Sequence, residues 1–323
     1  MMKKALVIGI NDYKVGNKLS GCVNDADSIE EILETNGDST HNFDIKKLID
    51  AEADKNNIIS SVHELFNEAG DIALLFFSGH GSDDASDGSI ISADSEKIKF
   101  MELMTIVNAS KAKYKIVILD CCYSGQMGQY HQIGDMTILS NNTVILTACS
   151  PCECAIDDGK AKHGTFTKLL LGALNGGASD VLGRITAGSI YSYIDQALGA
   201  WEQRPYFKAN VSSFAPIRIV EPKINLRELK KGLALFNLED DEYRLNPSYE
   251  ETNFKHNRLH KAIKPYANED HISIMKILQK MNRNGLVVPS TEDCMYNAAM
   301  QSSSAKLTSL GKHYWNLYKL KRI

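Results

Sequence analysis

Long apolar runs are absent from this sequence of 323 residues, and so are the common nucleotide-binding motifs. The N-terminal stretch MMKKALVIGI turns polar at Asn11-Asp12. It is too short for a signal-peptide core or for a bilayer-spanning helix, which needs about 20 apolar residues. The chain has neither a G-x-G-x-x-G turn after this stretch nor a P-loop, which disfavours a nucleotide-binding α/β protein. We therefore expect a cytoplasmic protein with no membrane contact.

The number of cysteines is odd, so they cannot all be paired within the chain. Seven cysteines without a secretory signal argue against a disulfide framework. Cys149, Cys152 and Cys154 include the C-x-x-C spacing of zinc ligands, but no second pair lies at finger-like spacing. We favour buried or loop thiols over a metal site there. The formal net charge is only −4, and 43% of the residues are hydrophobic, as is ordinary for a globular protein.

Strand-like and helix-like segments alternate over the first two thirds of the chain. Apolar runs predict six strands: Lys4–Ile10, Ile45–Ile49, Ile72–Ser78, Lys115–Asp120, Thr143–Ala148 and Phe214–Ile219. Amphipathic stretches predict five helices: Asp25–Leu33, Asn57–Glu68, Phe100–Asn108, Thr165–Leu174 and Gly188–Leu198. This order indicates an α/β domain with a mostly parallel sheet between two layers of helices, whose sites form beyond the carboxyl ends of the strands.

The pattern changes near Glu221-Pro222. Residues 1–223 hold 20 Lys and Arg against 29 Asp and Glu, whereas residues 224–323 hold 16 against 11. We predict a first domain over 1–222 and an accessory domain over 223–323. In the second, a helix over Ser273–Leu286, a strand over 287–289, a loop, and a strand and helix over Leu307–Leu320 suggest a winged-helix-like module. The basic charges form no dense stripe, so binding of a regulatory protein partner is favoured over nucleic acid.

Two motifs follow consecutive buried strands. Ser78-Gly79-His80-Gly81 comes after IALLFF, and Asp120-Cys121-Cys122 comes after KIVIL. A thiol nucleophile needs a base within hydrogen-bond reach, and His80 is the candidate. The backbone N–H groups of Gly81 and Cys122 are candidates for an oxyanion hole. A single histidine or cysteine is more often structural, but packing alone does not explain glycine on both sides of a histidine.

The two motifs resemble those of caspase-like cysteine peptidases, most closely the metacaspases and their bacterial relatives. Four further segments match in order over residues 3–220: GCVNDA at 21–26, TACS at 147–150, HGTFT at 163–167 and Gln203-Arg204-Pro205. The resemblance implies a caspase-like α/β/α sandwich and a cysteine endopeptidase. It makes Cys122 the nucleophile and His80 the base, a choice between Cys121 and Cys122 that chemistry alone leaves open.

The resemblance also implies a specificity pocket formed by Cys22, Asp25, Ser78 and Asp120. Two carboxylates in one pocket favour a bound Arg or Lys, so we expect cleavage after basic residues. Asp25 has a simpler interpretation as an acidic residue at a helix N-terminus, and both interpretations can hold. Regulated or defence-linked bacterial proteolysis is the role that the resemblance suggests. The alternative is a catalytically idle scaffold of the same fold, although this chain keeps the His, the Cys and the pocket acids.

Two features bear on activation. The loop after the nucleophile, 126–142, contains no Lys or Arg, so Lys160 and Lys162 are the better candidates for self-cleavage after a basic residue. The chemistry itself requires no cofactor. Calcium activates some metacaspases, and the carboxylates that follow His80 are weak candidates for its ligands, although such a loop is more often simply solvated: Asp83, Asp84, Asp87 and Asp94. Tyr123 departs from the metacaspase pattern, which has mostly His there, and this changes only local packing in our interpretation.

Overall fold

The computed structural model describes residues 2–84, 87–121, 138–148, 163–199, 204–256 and 262–323. The chain divides into two compact units, Met1–Glu221 and Pro222–Ile323, one residue from the predicted boundary. No helix in the described part of the chain is both long and apolar enough to span a bilayer.

The first unit contains eleven strands and five α-helices in its described part. In chain order they are β1 (Lys3–Gly9), α1 (Cys22–Glu34), β2 (Asp44–Ile49), α2 (Lys55–Asn67), β3 (Ile72–Ser78), β4 (Gly81–Asp84), β5 (Asp87–Ile91), β6 (Lys97–Lys99), α3 (Phe100–Asn108), β7 (Tyr114–Asp120), β8 (Thr143–Thr147), α4 (Thr165–Gly172), β9 (Arg184–Thr186), α5 (Ala187–Ala197), β10 (Tyr206–Asn210) and β11 (Pro216–Ile219). A short 3-10 helix, Asp50–Glu52, follows β2, and a π-helical turn, Ala173–Gly177, follows α4.

The main sheet has six strands in the order β10-β8-β7-β3-β1-β2. All neighbouring pairs are parallel except β10 with β8. Successive side chains of a strand point to opposite faces. In β3, Leu75 and Phe77 accordingly pack in the core formed with α2 and α3, whereas Leu74 and Phe76 pack in the core formed with α1, α4 and α5. The predicted α/β/α sandwich with a mostly parallel six-stranded sheet is confirmed.

The prediction of the sixth strand was wrong. The edge position belongs to β10, Tyr206–Asn210, whose side chains are half-buried or exposed and therefore give no apolar run. The predicted segment contains β11, which instead pairs antiparallel with β9 in a separate two-stranded sheet. The segment after His80 was also expected to be a loop, and its backbone forms the three-stranded antiparallel sheet β4-β5-β6.

The second unit combines four α-helices with a three-stranded antiparallel sheet. Its elements are α6 (Leu226–Leu233), β12 (Glu242–Arg244), a 3-10 helix at Pro247–Tyr249, α7 (Glu269–Arg283), β13 (Val287–Pro289), α8 (Met295–Met300), β14 (Ser304–Leu307) and α9 (Ser309–Lys319). The strand order is β12-β14-β13. Gly285 adopts a φ of 68° in the turn between α7 and β13, where glycine is favoured. Helix α8 lies where a loop was expected between the two predicted strands.

Candidate active site

The two sequence motifs lie at the ends of adjacent central strands. Ser78, the last residue of β3, is in register with Asp120, the last residue of β7, and also with Gly9 at the end of β1. The backbone N–H of Gly79 donates to the carbonyl of Asp120 at 3.3 Å. Cys121 follows Asp120 and is buried. Cys122, the predicted nucleophile, lies outside the described residues.

The imidazole of His80 is held through one ring nitrogen. Its Nε2 lies 2.7 Å from the carbonyl oxygen of Asn17. A carbonyl oxygen only accepts hydrogen bonds, so Nε2 carries the proton in this contact. In the neutral ring, Nδ1 is then the nitrogen with a lone pair. The arrangement is suited to a general base that receives its proton at Nδ1.

Tyr13 supports both the backbone and the ring of His80. Its hydroxyl accepts a hydrogen bond from the His80 backbone N–H at 2.7 Å, and the two ring centroids are 4.6 Å apart. Burial raises the pKa of Tyr13 above its ordinary value. Gly79 makes room for this tyrosine, since a Cβ at position 79 would lie 2.5 Å from the hydroxyl oxygen. The glycine before the histidine is therefore a steric requirement of the site.

The backbone N–H of Gly81 is directed away from the strand beside it. Gly81 is paired with Ile90 across β4 and β5, and the N–H of Ile91 donates to the carbonyl of His80 at 3.0 Å. This pattern makes Gly81 and Ile90 a non-hydrogen-bonded pair of the antiparallel ladder, in which the N–H groups point outward. The Gly81 N–H therefore does not donate to β5. This leaves it able to donate to a substrate oxygen, as an oxyanion hole requires.

Asp25 forms the centre of a buried polar group beside the end of β3. One carboxylate oxygen accepts from the hydroxyl of Ser78 at 2.9 Å, and the other lies 2.9 Å from Nδ1 of His163. The side chain of Asp25 is 3% exposed, whereas that of His163 is 22% exposed. Burial raises the pKa of Asp25, although the hydrogen bonds from His163, Ser78 and the Gly164 backbone oppose this shift.

Asp120 is the second buried carboxyl at this edge of the sheet. Its Oδ2 accepts from the hydroxyl of Thr167 at 2.6 Å. Burial raises its pKa to about 6, with a further contribution from the nearby charge of Asp25 and with Thr167 opposing. Gly164 passes close to this carboxylate, because a Cβ there would lie 3.0 Å from Oδ2. Helix α4 thereby packs its first turn directly onto Asp120.

The structure brings the predicted pocket residues together. We call Cys22, Asp25, Ser78 and Asp120 the acidic cluster. Cys22 and Asp25 lie one turn apart in α1, and the side-chain amide oxygen of Asn11 accepts from the Cys22 N–H at 2.9 Å at the start of that helix. All four residues are buried, with exposed fractions from 2 to 9%.

Sequence reasoning missed four residues that complete the site. Tyr13, Asn17, His163 and Thr167 all contact predicted site residues, yet none was assigned a role. The segment HGTFT was noted as a motif, and this was the available signal for His163 and Thr167. Tyr13 and Asn17 lie in the irregular segment between β1 and α1, where periodicity gives no information.

Some predicted residues are not placed by the structure. Lys160, Lys162, Cys149, Cys152 and Cys154 lie outside the described residues. The same holds for the side chains of the calcium candidates Asp83, Asp84 and Asp87. Asp94 accepts from the backbone N–H of Lys55 at 3.1 Å and from the hydroxyl of Ser92, so it already stabilises the local turn. Within the described part of the chain, no group of three or more His, Cys, Asp or Glu side chains has the geometry of a metal site.

Comparison with known proteins assigns a family to the first unit. Residues 2–214 match the caspase domain family. Metacaspase-1 of Plasmodium falciparum is 44% identical over 91 residues, which are 25% of this chain and 14% of that protein. Metacaspase-6 of Arabidopsis thaliana is 32% identical over 158 residues, which are 42% of each chain. The match thus spans less than half of the length of either curated relative.

Solved structures support the same fold. A crystal structure of a protein from Geobacter sulfurreducens is matched with a TM-score of 0.53 at 20% identity, covering 68% of this chain and 100% of that one. Caspase-1 from Spodoptera frugiperda is matched with a TM-score of 0.51 at 12% identity, covering 68% of this chain and 92% of that one. At such identities the likeness concerns the fold.

Proposed function

Because this chain belongs to the caspase domain family, we propose that it is a cysteine endopeptidase that cleaves protein substrates after Arg or Lys. The single observation that carries the proposal is the placement of His80 and the acidic cluster at the ends of the adjacent strands β3 and β7. Cys122, the proposed nucleophile, is two residues beyond Asp120 in the sequence, and Asp120 is the last residue of β7. A base and a cation-binding group are therefore available at the same edge of the sheet.

In the proposed reaction, the thiolate of Cys122 attacks the carbonyl carbon of the scissile peptide bond. His80 takes the thiol proton at Nδ1 and then gives it to the leaving amine. The carbon–nitrogen bond breaks and a thioester to Cys122 remains. A water molecule, deprotonated by His80, hydrolyses the thioester and restores the thiol. The N–H groups of Gly81 and Cys122 stabilise the oxyanion of both tetrahedral intermediates.

The chemistry of the acidic cluster supports basic specificity. Asp25 and Asp120 are both buried, and a buried carboxylate is favourable only when hydrogen-bonded or paired with a cation. Within 4.0 Å of either carboxylate, the described residues include no Lys or Arg. An Arg side chain of a substrate would supply the missing charge and several donors in one planar group. An aspartate at the same position would be repelled by both carboxylates.

The test is hydrolysis of matched fluorogenic peptides that end in Arg, Lys or Asp. We expect the wild type to cleave after Arg or Lys, with activity lost in Cys122→Ala and His80→Ala. Cys121→Ala is the matched control, because it removes a neighbouring thiol and should retain activity. Cleavage after Asp, or activity that survives Cys122→Ala, would contradict the proposal. Inactivity of the wild type with and without calcium would favour the idle scaffold.

For residues 222–323 we propose a regulatory role through a protein partner. Several of the lysines in this unit are already neutralised by ion pairs within it: Lys276 with Glu251, Lys280 with Glu228 and Lys312 with Asp240. Pairing of this kind weakens the field that nucleic acid binding requires. Salt-sensitive binding of labelled duplex DNA by the full chain would contradict the preference for a protein partner.

A further inference from the structure

His163 lies on the carboxylate that the proposed function assigns to a basic substrate side chain. Its Nδ1 is 2.9 Å from Oδ1 of Asp25, and the other oxygen of Asp25 accepts from Ser78. An ionised carboxylate only accepts hydrogen bonds, so His163 is the donor. The imidazole therefore uses the same oxygen that a guanidinium or ammonium group would need.

The position of His163 is determined by the start of helix α4. Gly164 is the N-cap residue of that helix and lies against Asp120. The absence of a Cβ allows this close approach. Three residues further on, Thr167 is fully buried and donates to Asp120. The first turn of α4 is thus anchored on one carboxyl of the acidic cluster and places the preceding imidazole on the other.

Exposure indicates which side of the carboxylate His163 covers. The imidazole is 22% exposed, whereas the Asp25 side chain beneath it is 3% exposed. The other side chain that donates to Asp25, the hydroxyl of Ser78, is buried, and the Gly164 N–H belongs to the backbone at the start of α4. Of the described side chains that donate to Asp25, the imidazole is therefore the one that can move into solvent without breaking the core.

We propose that His163 is a specificity-determining residue that competes with the basic side chain of the substrate for Asp25. This inference rests on the proposed Arg and Lys specificity. A substrate cation replaces the imidazole because it brings a full charge and more donors to the same oxygen. A neutral side chain brings neither a charge nor as many donors, so it does not displace His163 from Asp25. A substrate with such a side chain therefore binds poorly. The residue thus raises selectivity at the expense of affinity.

The experiment measures the binding of benzamidine, an analogue of the Arg side chain, by calorimetry on the full chain. We expect the Kd to fall about tenfold in His163→Ala, the factor that corresponds to removing one competing charge-assisted hydrogen bond. His163→Ser is a second truncation with the same expected result. His163→Asn keeps an N–H donor near the position of Nδ1 and should restore a Kd close to that of the wild type.

His41 provides a matched control. Its Nε2 lies 2.9 Å from Oδ1 of Asp44, so it forms a histidine–aspartate pair of the same length, but both side chains are 64% exposed. His41→Ala should leave the Kd unchanged. In hydrolysis, the KM of an Arg-ending peptide should fall by the same factor in His163→Ala while kcat is unchanged, which a merely structural role would not produce.

The outcomes separate this inference from the proposed function. An equal or weaker Kd in folded His163→Ala and His163→Ser overturns the inference, as does the absence of benzamidine binding by every variant. Binding needs no nucleophile. A tenfold tighter Kd together with no peptide hydrolysis by the wild type would support the competition at Asp25 and contradict the peptidase chemistry.

Discussion

Replacing Tyr13 by Phe tests whether the backbone of His80 is held by that hydroxyl. The change removes one oxygen atom and leaves the aromatic ring that packs against the imidazole. The His80 N–H, which donates to this oxygen at 2.7 Å in a partly buried position, then lacks its acceptor. An unsatisfied donor of this kind costs about 1–3 kcal/mol, and partial access of water places the expected loss at about 1–2 kcal/mol.

The loss is measurable by urea unfolding. With an m-value of about 3 kcal/mol per molar, a loss of about 1.5 kcal/mol lowers the midpoint by about 0.5 M at constant slope. If His80 is the catalytic base, displacement of its backbone also lowers kcat by about 10- to 100-fold, since such reactions are sensitive to misplacement of about 1 Å. We expect KM to change less than kcat, because the hydrogen bond that is lost joins Tyr13 to the backbone of His80 and not to the carboxylates of Asp25 and Asp120.

Tyr114 is the matched control for this substitution. Its hydroxyl lies 3.0 Å from the hydroxyl of Ser213 in an exposed contact at the start of β7, at the opposite end of the sheet. Tyr114→Phe should change stability by less than about 0.5 kcal/mol and leave kcat unaltered. The reasoning is refuted if Tyr13→Phe has the midpoint and kcat of Tyr114→Phe.

Three further predictions concern stability and can be measured by urea unfolding. Gly79→Ala places a Cβ 2.5 Å from the Tyr13 hydroxyl and should cost about 1–3 kcal/mol, whereas Gly70→Ala, whose Cβ would meet nothing closer than 3.4 Å, should be nearly neutral; equal midpoints would contradict the steric argument. The pKa of Asp120 is about 6 in the folded protein against 3.8 ordinarily, so the folded state binds more protons between these values and the free energy of unfolding should fall as the pH rises from about 4 to about 6. Asp120→Asn should make this slope smaller, leaving the part that comes from Asp25, whose pKa is also raised by burial; an unchanged slope would exclude Asp120 as a source. Burial lowers the pKa of Lys3 from 10.5 to about 8, so the unfolded chain binds more protons between these values and stability should rise with pH across that window; a wild-type profile in Lys3→Met would show that another group titrates.

The central strands could be predicted from the sequence because burial on both faces leaves an unmistakable pattern. β3 is buried at all seven positions, and β7 and β8 are nearly as apolar. The central residues of these strands carry no charge, and in β7 the charged residues Lys115 and Asp120 lie near its ends, so the apolar run indicates their place in the sheet. The edge strand β10 has no such constraint, since one side of it is exposed to water. The apolar run that predicts a sixth strand lies instead in the segment that follows β10, which pairs outside the main sheet.

The short strands after His80 illustrate the same limit. Residues 81–84 read GSDD, a composition that favours a turn by local propensity. They form β4 because β5 and β6 pair beside them, and pairing is a property of the assembled sheet. This pairing also determines the direction of the Gly81 N–H, on which the proposed oxyanion hole depends. The local sequence does not predict the direction of this N–H group.

By itself the sequence determined the alternating α/β pattern and the strand-end position of His80, because strand burial and short motifs are local signals. The membership of the acidic cluster came from the resemblance of those motifs to a known family. Only the tertiary structure decided which groups surround those residues. Asn17 reaches His80 across 63 positions of the chain, and His163 reaches Asp25 across 138. The contact between His163 and Asp25 depends on the packing of α1 and α4 against one face of the sheet, and the contact between Asn17 and His80 depends on the path of the segment before α1. Hydrogen bonds between residues so far apart in the sequence depend on how the elements pack. The periodicity of the sequence therefore does not predict them.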